Sequence, residues 1–278
     1  MGVMKKVALW TGILFAIALA FISFLTLFQD SLIFFPRTTT DDRWKQLIEE
    51  ELKADYVSIR ADDDAVLEGM FLSDHTGAPR PTIIVFPGNA MLVEDIAPLF
   101  SRFPAQGISV LLMDYRGYGL STGEPDAEWM KRDAEKIFDA ASKHPAVDPA
   151  HITAWGVSLG TGIATHLASV KPIEKVILFS PYTSLVDVGH SMFPFLPKSI
   201  IKTFLKHDLD NLALAPSLSQ PALIAHGSLD GQLSSDHAKK IQEAWGGEAE
   251  LLLLPERGHD DLWGDEKVWK KVMEFLKQ

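Results

Sequence analysis

Apolar positions follow three different rhythms along the chain. The first is an unbroken, uncharged run from Val7 to Phe28; its ~22 residues are enough to cross a hydrocarbon core ~30 Å thick as a helix. The second is a series of short apolar runs, each closed by glycine, proline or aspartate: Thr82–Phe86, Ser109–Met113, Ile152–Trp155, Val176–Phe179, Ala222–His226 and Leu251–Leu254. Such runs read as strands buried on both faces. Two earlier strands, Tyr56–Ile59 and Ala65–Leu72, are joined across Asp62-Asp63-Asp64. The third rhythm is helical and falls between strands, as in Thr161–Ser169 and Ser235–Trp245. Strands alternating with helices predict an α/β fold with a doubly wound, mostly parallel sheet. One connection, Pro181 to Gln220, is too long for a simple link. Its Met192, Phe193, Phe195, Leu196, Ile200, Ile201, Phe204 and Leu205 predict a small helical cap over a site, some packing the cap down and others facing a ligand.

These patterns divide the chain into a membrane anchor (1–30), a linker with a helix from Asp41 (31–52), and an α/β domain (53–278) carrying the cap at about 181–220. Lys5 and Lys6 precede the apolar run, and Asp30, Asp41 and Asp42 follow it. The excess of positive charge before the run predicts a cytoplasmic N-terminus and an extracytoplasmic domain, periplasmic in a Gram-negative cell. A cleaved signal peptide is the rival reading, because Ala18-Leu19-Ala20 has the small-residue form of a cleavage site. The apolar run continues well past it, longer than a typical signal core, which favours an uncleaved anchor contacting the bilayer through residues 7–28.

Composition narrows the chemistry. With 278 residues, 47% hydrophobic and 23% charged, the chain can bury one sizeable core. A net charge of -11 argues against nucleic acid as a partner. The absence of cysteine excludes disulfides, thiolate metal ligands and a cysteine nucleophile. Asp62-Asp63-Asp64 lacks the later glycine and glutamate of a calcium loop and reads as a solvated hairpin turn.

The sharpest local signal is Gly156-Val157-Ser158-Leu159-Gly160, placed between a predicted strand and a predicted helix. A serine between two glycines on that turn has the form of a nucleophile elbow. A serine hydroxyl needs a base, and the base needs an orienting acid. In such sheets the chain order is serine, acid, histidine. Asp230 and His259 each lie just beyond the carboxyl end of a predicted strand, the edge where open α/β sheets bind ligands. Asp187 is the main competitor for the acid, ahead of Asp208 and Asp236. His237 is expected inside a helix and turned away from the edge, and His226 is expected beneath the loop carrying Asp230. A metal held by His226, His259, Asp260 and Asp261 is a weaker use of the same residues. The oxyanion that forms on the attacked carbonyl needs preorganised donors. The N–H of Leu159, after the nucleophile, is one. The other is expected in Pro87-Gly88-Asn89-Ala90, with Asn89 first and Ala90 second, both through the main chain.

With these residues in view, the chain resembles the α/β-hydrolase superfamily, and within it the Bem46-like serine hydrolases, over about Ser31 to Gln278. The likeness is carried by Leu32-Ile33-Phe34-Phe35-Pro36, Phe86-Pro87-Gly88-Asn89-Ala90, Asp114-Tyr115-Arg116-Gly117-Tyr118-Gly119 with Ser121, Gly123 and Pro125, and the elbow. It continues in Ser180-Pro181-Tyr182-Thr183-Ser184, His226-Gly227-Ser228-Leu229-Asp230 and Gly258-His259-Asp260-Asp261-Leu262. It implies the α/β-hydrolase fold with Ser158, Asp230 and His259 as catalytic triad. Two positions depart from the usual pattern: Pro87 stands where histidine is common, and Asp260 where asparagine is. The expectation is a membrane-anchored hydrolase of small-molecule or acylated ester or thioester substrates, working through an acyl-enzyme without cofactor or metal. Phe193 and Phe195 are placed near the pocket mouth by analogy. A serine peptidase of the same fold and a tethered binding module without activity are the alternatives.

Overall fold

The structure, a computed structural model, describes residues 2–278. Eight strands form one sheet: β1 (Asp55–Arg60), β2 (Val66–Leu72), β3 (Arg80–Phe86), β4 (Ser109–Met113), β5 (Val147–Val157), β6 (Lys175–Phe179), β7 (Ala222–Gly227) and β8 (Ala249–Leu254). Their spatial order is β1-β2-β4-β3-β5-β6-β7-β8. β2 runs antiparallel to both β1 and β4, and every other pairing is parallel. The chain reverses its winding between β3 and β4, so the elbow after β5 sits near the middle of the sheet.

The helices are α1 (Gly2–Ile33), α2 (Asp41–Lys45, continuing in wider turns to Leu52), α3 (Val93–Phe100), α4 (Ala127–Ala141), α5 (Leu159–Val170), α6 (Leu185–Met192), α7 (Lys198–Phe204), α8 (Asn211–Leu214), α9 (Asp236–Ala244) and α10 (Glu266–Leu276). The period of two along each strand splits the core into two layers. On β5, Ile152 and Ala154 face α4, α5 and α9, while Trp155 and Val157 face α3 and α10. On β6, Val176 and Leu178 take the first side, Ile177 and Phe179 the second. Both faces are covered, which is why these strands carry unbroken apolar runs in place of alternation.

The segment expected as a linker is part of this core. Phe34, Trp44 and Leu47 are almost completely buried, Phe34 in the layer of α4 and α5 and the other two in the layer of α3 and α10. The expected boundary at residue 30 falls inside α1. That helix is long and apolar enough to cross a membrane, and at ~1.5 Å per residue it extends about 48 Å, well beyond a ~30 Å core. Its last turns do not stand apart. Phe21, Ile22, Leu25, Thr26, Gln29, Leu32 and Ile33 form a half-buried to buried stripe against the cap formed by α6 and α7, while Phe24, Leu27 and Phe28 point outward.

The Asp62-Asp63-Asp64 turn joins β1 to β2, and its three carboxylates pair with Lys136, Arg116 and Arg60 respectively. Arg116 is buried and also grips Asp133 with two bonds of 2.8 Å. Desolvation lowers its pKa, but these paired carboxylates outweigh burial and hold it above its ordinary range.

Candidate active site

β5 ends at Val157 and α5 begins at Leu159, leaving Ser158 alone on the turn with φ 48° and ψ -114°. A side chain on Gly160 would come within 2.1 Å of the Phe86 carbonyl oxygen, and one on Gly156 within 2.4 Å of the Gly160 carbonyl oxygen. The two glycines therefore let the strand and helix close tightly enough to hold the serine in its strained conformation. The Ser158 N–H donates to the Phe179 carbonyl, and the Thr161 hydroxyl donates to the Ser158 carbonyl at 2.7 Å.

The loops after β7 and β8 bring Asp230 and His259 to the same edge. Ser158 Oγ lies 3.0 Å from His259 Nε2, and His259 Nδ1 lies 2.7 Å from Asp230 Oδ2. Ser180, after β6, donates from its hydroxyl to the His259 carbonyl at 3.2 Å and so fixes the histidine's backbone. Gly258 N–H is capped by the Asp261 carboxylate at 2.9 Å. The Asp230 side chain is buried. Burial works against its charge. Hydrogen bonds from His226 and His259, and from the Leu233 N–H, win and hold the carboxyl well below the usual carboxylate range. His226 sits beneath the loop as expected, with Nε2 within 3.1 Å of Asp230 Oδ2 and 3.0 Å of the Leu233 carbonyl. Its second contact with the acid is not evident from sequence, because it depends on how the turn after β7 folds back.

The competing residues are engaged elsewhere. Asp187 lies in the first turn of α6, accepts the Thr183 hydroxyl and pairs with Lys198 at 2.5 Å. His237 does lie on a helix, but it is not turned away from the neighbouring loop: its Nδ1 accepts the Thr183 N–H at 3.2 Å. Burial pushes this imidazole below its ordinary pKa. Asp260 is exposed. Among the described residues, no group of three or more His, Asp or Glu side chains is arranged to hold a metal ion.

Asn89 follows β3 and lines the same cavity as Ser158. Its N–H has no acceptor among the described residues, and the Leu159 N–H is the unpaired first donor of α5. The Asn89 side chain, expected to be unremarkable, is fully committed. Its Nδ2 donates to the Ile33 carbonyl at 2.6 Å, and its Oδ1 accepts from the Phe35 N–H and the Tyr118 hydroxyl, both at 2.9 Å. It thereby ties this loop to the end of α1. The Pro87 carbonyl accepts the Tyr115 hydroxyl at 2.9 Å.

Ser158 opens into a cavity of about 380 Å³, within the range of small-ligand sites. Its wall is apolar except for Thr26, Gln29, Asn89, Ser158, Tyr182 and Gln232. Phe193 lines it. Phe195 does not: it is largely exposed on the outer flank, its ring 5.8 Å from Phe21. The participation of α1 was missed from sequence because a long apolar run reads as lipid-facing all round.

Comparison with known proteins agrees with this architecture. A family model described as serine aminopeptidase, S33 matches residues 77–207. The chain is 31% identical to the uncharacterized protein Rv2307c of Mycobacterium tuberculosis, over 74% of its own length and 72% of that protein's. It is 28% identical to protein bem46 of Schizosaccharomyces pombe, over 68% of this chain and 65% of the relative. Among solved structures, the Pyrococcus furiosus esterase Pf2001 superposes with a TM-score of 0.70 at 20% identity, covering 87% of this chain and 98% of that one. Sheet order, elbow and these relatives together show that the chain belongs to the Bem46-like group of the α/β-hydrolase superfamily.

Proposed function

We propose that the protein is a membrane-anchored serine hydrolase that cleaves carboxylic esters or thioesters through an acyl-enzyme. The observation that carries this reading is the continuous relay from Ser158 Oγ to His259 Nε2 and from His259 Nδ1 to Asp230, opening on an apolar cavity. Ser158 attacks the substrate carbonyl carbon while His259 Nε2 takes its proton. The negative oxygen is met by the N–H groups of Leu159 and Asn89. Asp230 holds the imidazole in the Nδ1–H tautomer and balances the imidazolium. The intermediate collapses as His259 returns the proton to the departing alkoxide or thiolate. A water, deprotonated by the same nitrogen, then releases the acid and restores the serine. The N-terminal helix anchors the protein, with Lys5 and Lys6 on the cytoplasmic side and the catalytic domain outside.

The peptidase reading draws on the family model, whose description names an aminopeptidase. Cavity chemistry favours acyl substrates over it. Among the described residues no Asp or Glu lines the cavity, so nothing there pairs with a peptide's ammonium terminus. The test uses the full-length protein in detergent. A fluorophosphonate probe is expected to label Ser158, and Ser158→Ala to lose both labelling and turnover of p-nitrophenyl esters, by roughly 10⁶-fold in kcat. Labelling that persists in Ser158→Ala sinks the assignment. Faster turnover of aminoacyl anilides than of esters moves the protein to the peptidases.

A further inference from the structure

The cavity over Ser158 has two walls of different origin. One is the cap, through Met192, Phe193, Leu196, Ile200 and Phe204; the other is α1, through Ile22, Leu25, Thr26, Gln29 and Ile33. From Ile33 to Ile22 the α1 wall runs about 17 Å along the helix. Ile22 and Leu25 belong to the apolar run that spans a bilayer, whereas Ile33 lies beyond it beside Asn89. The cavity therefore starts at the nucleophile and descends along the anchor to the depth of the acyl chains.

Contacts between α1 and the cap are specific. The Gln29 side chain accepts the Lys206 N–H at 2.6 Å, and Asp30 meets the buried His207 ring at 2.5 Å. Asn89 holds the main chain at both Ile33 and Phe35. On the outside, Phe195 is exposed with its ring 5.8 Å from that of Phe21, and Phe24, Leu27 and Phe28 are exposed along the same helix. A water-facing cap has no use for that flank, whereas one resting on lipid does.

We infer that this trough is an acyl-chain site reached sideways from the bilayer, and that the substrate is a single-chain acyl ester whose chain lies between α1 and α7 while its carbonyl sits at Ser158. This rests on the hydrolase reading for the chemistry, but the trough itself does not. A single chain is specified because the cavity, at about 380 Å³, lies near the lower end of small-ligand sites and is walled by one helix and the cap. Reaction proceeds as above: the ester C–O bond breaks, the headgroup alcohol leaves with the proton from His259, and water returns the fatty acid to the membrane.

The test uses full-length protein in phospholipid nanodiscs. A single-chain acyl ester with a diazirine at the chain end, added to Ser158→Ala protein, is expected to crosslink within residues 22–33 and 200–205. Crosslinks confined to the outward residues Phe24, Leu27 and Phe28 overturn the trough, and equal crosslinking by a diacyl probe overturns the single-chain class. In active protein, Leu25→Trp and Ile200→Trp are each expected to lower the ratio of kcat/KM for a long-chain monoacyl ester to that for a butyrate ester by about tenfold, the worth of roughly two buried methylenes. An unmoved ratio in both variants overturns it. If wild type shows trough crosslinks but no fluorophosphonate labelling, the hydrolase reading falls and the acyl-chain site stands.

Discussion

Replacing Asp230 with asparagine is the most discriminating single change, because four donors converge on that carboxylate. The N–H groups of Gln232 and Leu233 reach Oδ1 at 2.8 Å each, while His226 Nε2 and His259 Nδ1 reach Oδ2 at 3.1 and 2.7 Å. Asparagine supplies one acceptor oxygen and an NH₂ group. If the oxygen stays with the two backbone donors, the NH₂ group faces both imidazoles. His259 then has to accept at Nδ1, which places its proton on Nε2, against Ser158 Oγ. In that tautomer the ring cannot take the serine's proton. The loss is expected to be about 10⁴-fold in kcat, or ~5.5 kcal/mol of transition-state stabilisation. The rate of fluorophosphonate labelling is expected to fall in step, since it depends on the same deprotonation. Asp187→Asn is the control. Its carboxylate serves Thr183 and Lys198, so activity is expected to stay within a few-fold. Measuring both variants beside a thermal melt separates chemistry from folding. Asp230→Asn labelling at near wild-type rate, or Asp187→Asn proving the more damaging, would falsify the assignment of the acid.

Asp114 offers a stability test. Burial pushes its carboxyl up to about 7, with one oxygen on the Val93 N–H at 2.9 Å and the other without a partner. A raised acid stabilises most below its unfolded value, near 4, and loses that contribution as pH climbs through about 7. At ~1.36 kcal/mol per pK unit the loss is a few kcal/mol. Asp114→Asn is expected to flatten that slope between pH 5 and 8 in urea titrations; an unchanged slope assigns the dependence to other groups. Orientation can be read with Gln278→Cys, because the chain has no other cysteine. An impermeant maleimide is expected to label intact spheroplasts, and labelling only after lysis reverses the proposed topology.

The sheet and the edge that carries the candidate site were legible because their signals are local. Each strand of the parallel part is a short apolar run closed by a breaker, and Ser158, Asp230 and His259 each lie within five residues of the end of such a strand. What sequence did not show depends on where distant segments meet. Asn89 reads as an ordinary loop residue until Ile33 and Phe35 are seen to pass within hydrogen-bond reach of its amide. Phe195 and Phe193 look equivalent in a run of apolar cap residues, yet only one turns into the cavity, a matter of helix ends that composition does not encode. The largest omission is α1. A 3.6-residue stripe that packs on protein is invisible when every position around the helix is apolar, because lipid and protein core ask for the same side chains. Thr26 and Gln29 lie on the packed face with Ile22 and Ile33, while Ser23, Phe24, Leu27 and Phe28 are exposed on the other. Gln29 is a costly residue near a bilayer unless it is satisfied, and here Lys206 N–H satisfies it. Gln29, just past the end of the apolar run, is thus a sequence trace of a helix face that packs on the cap and lines the cavity.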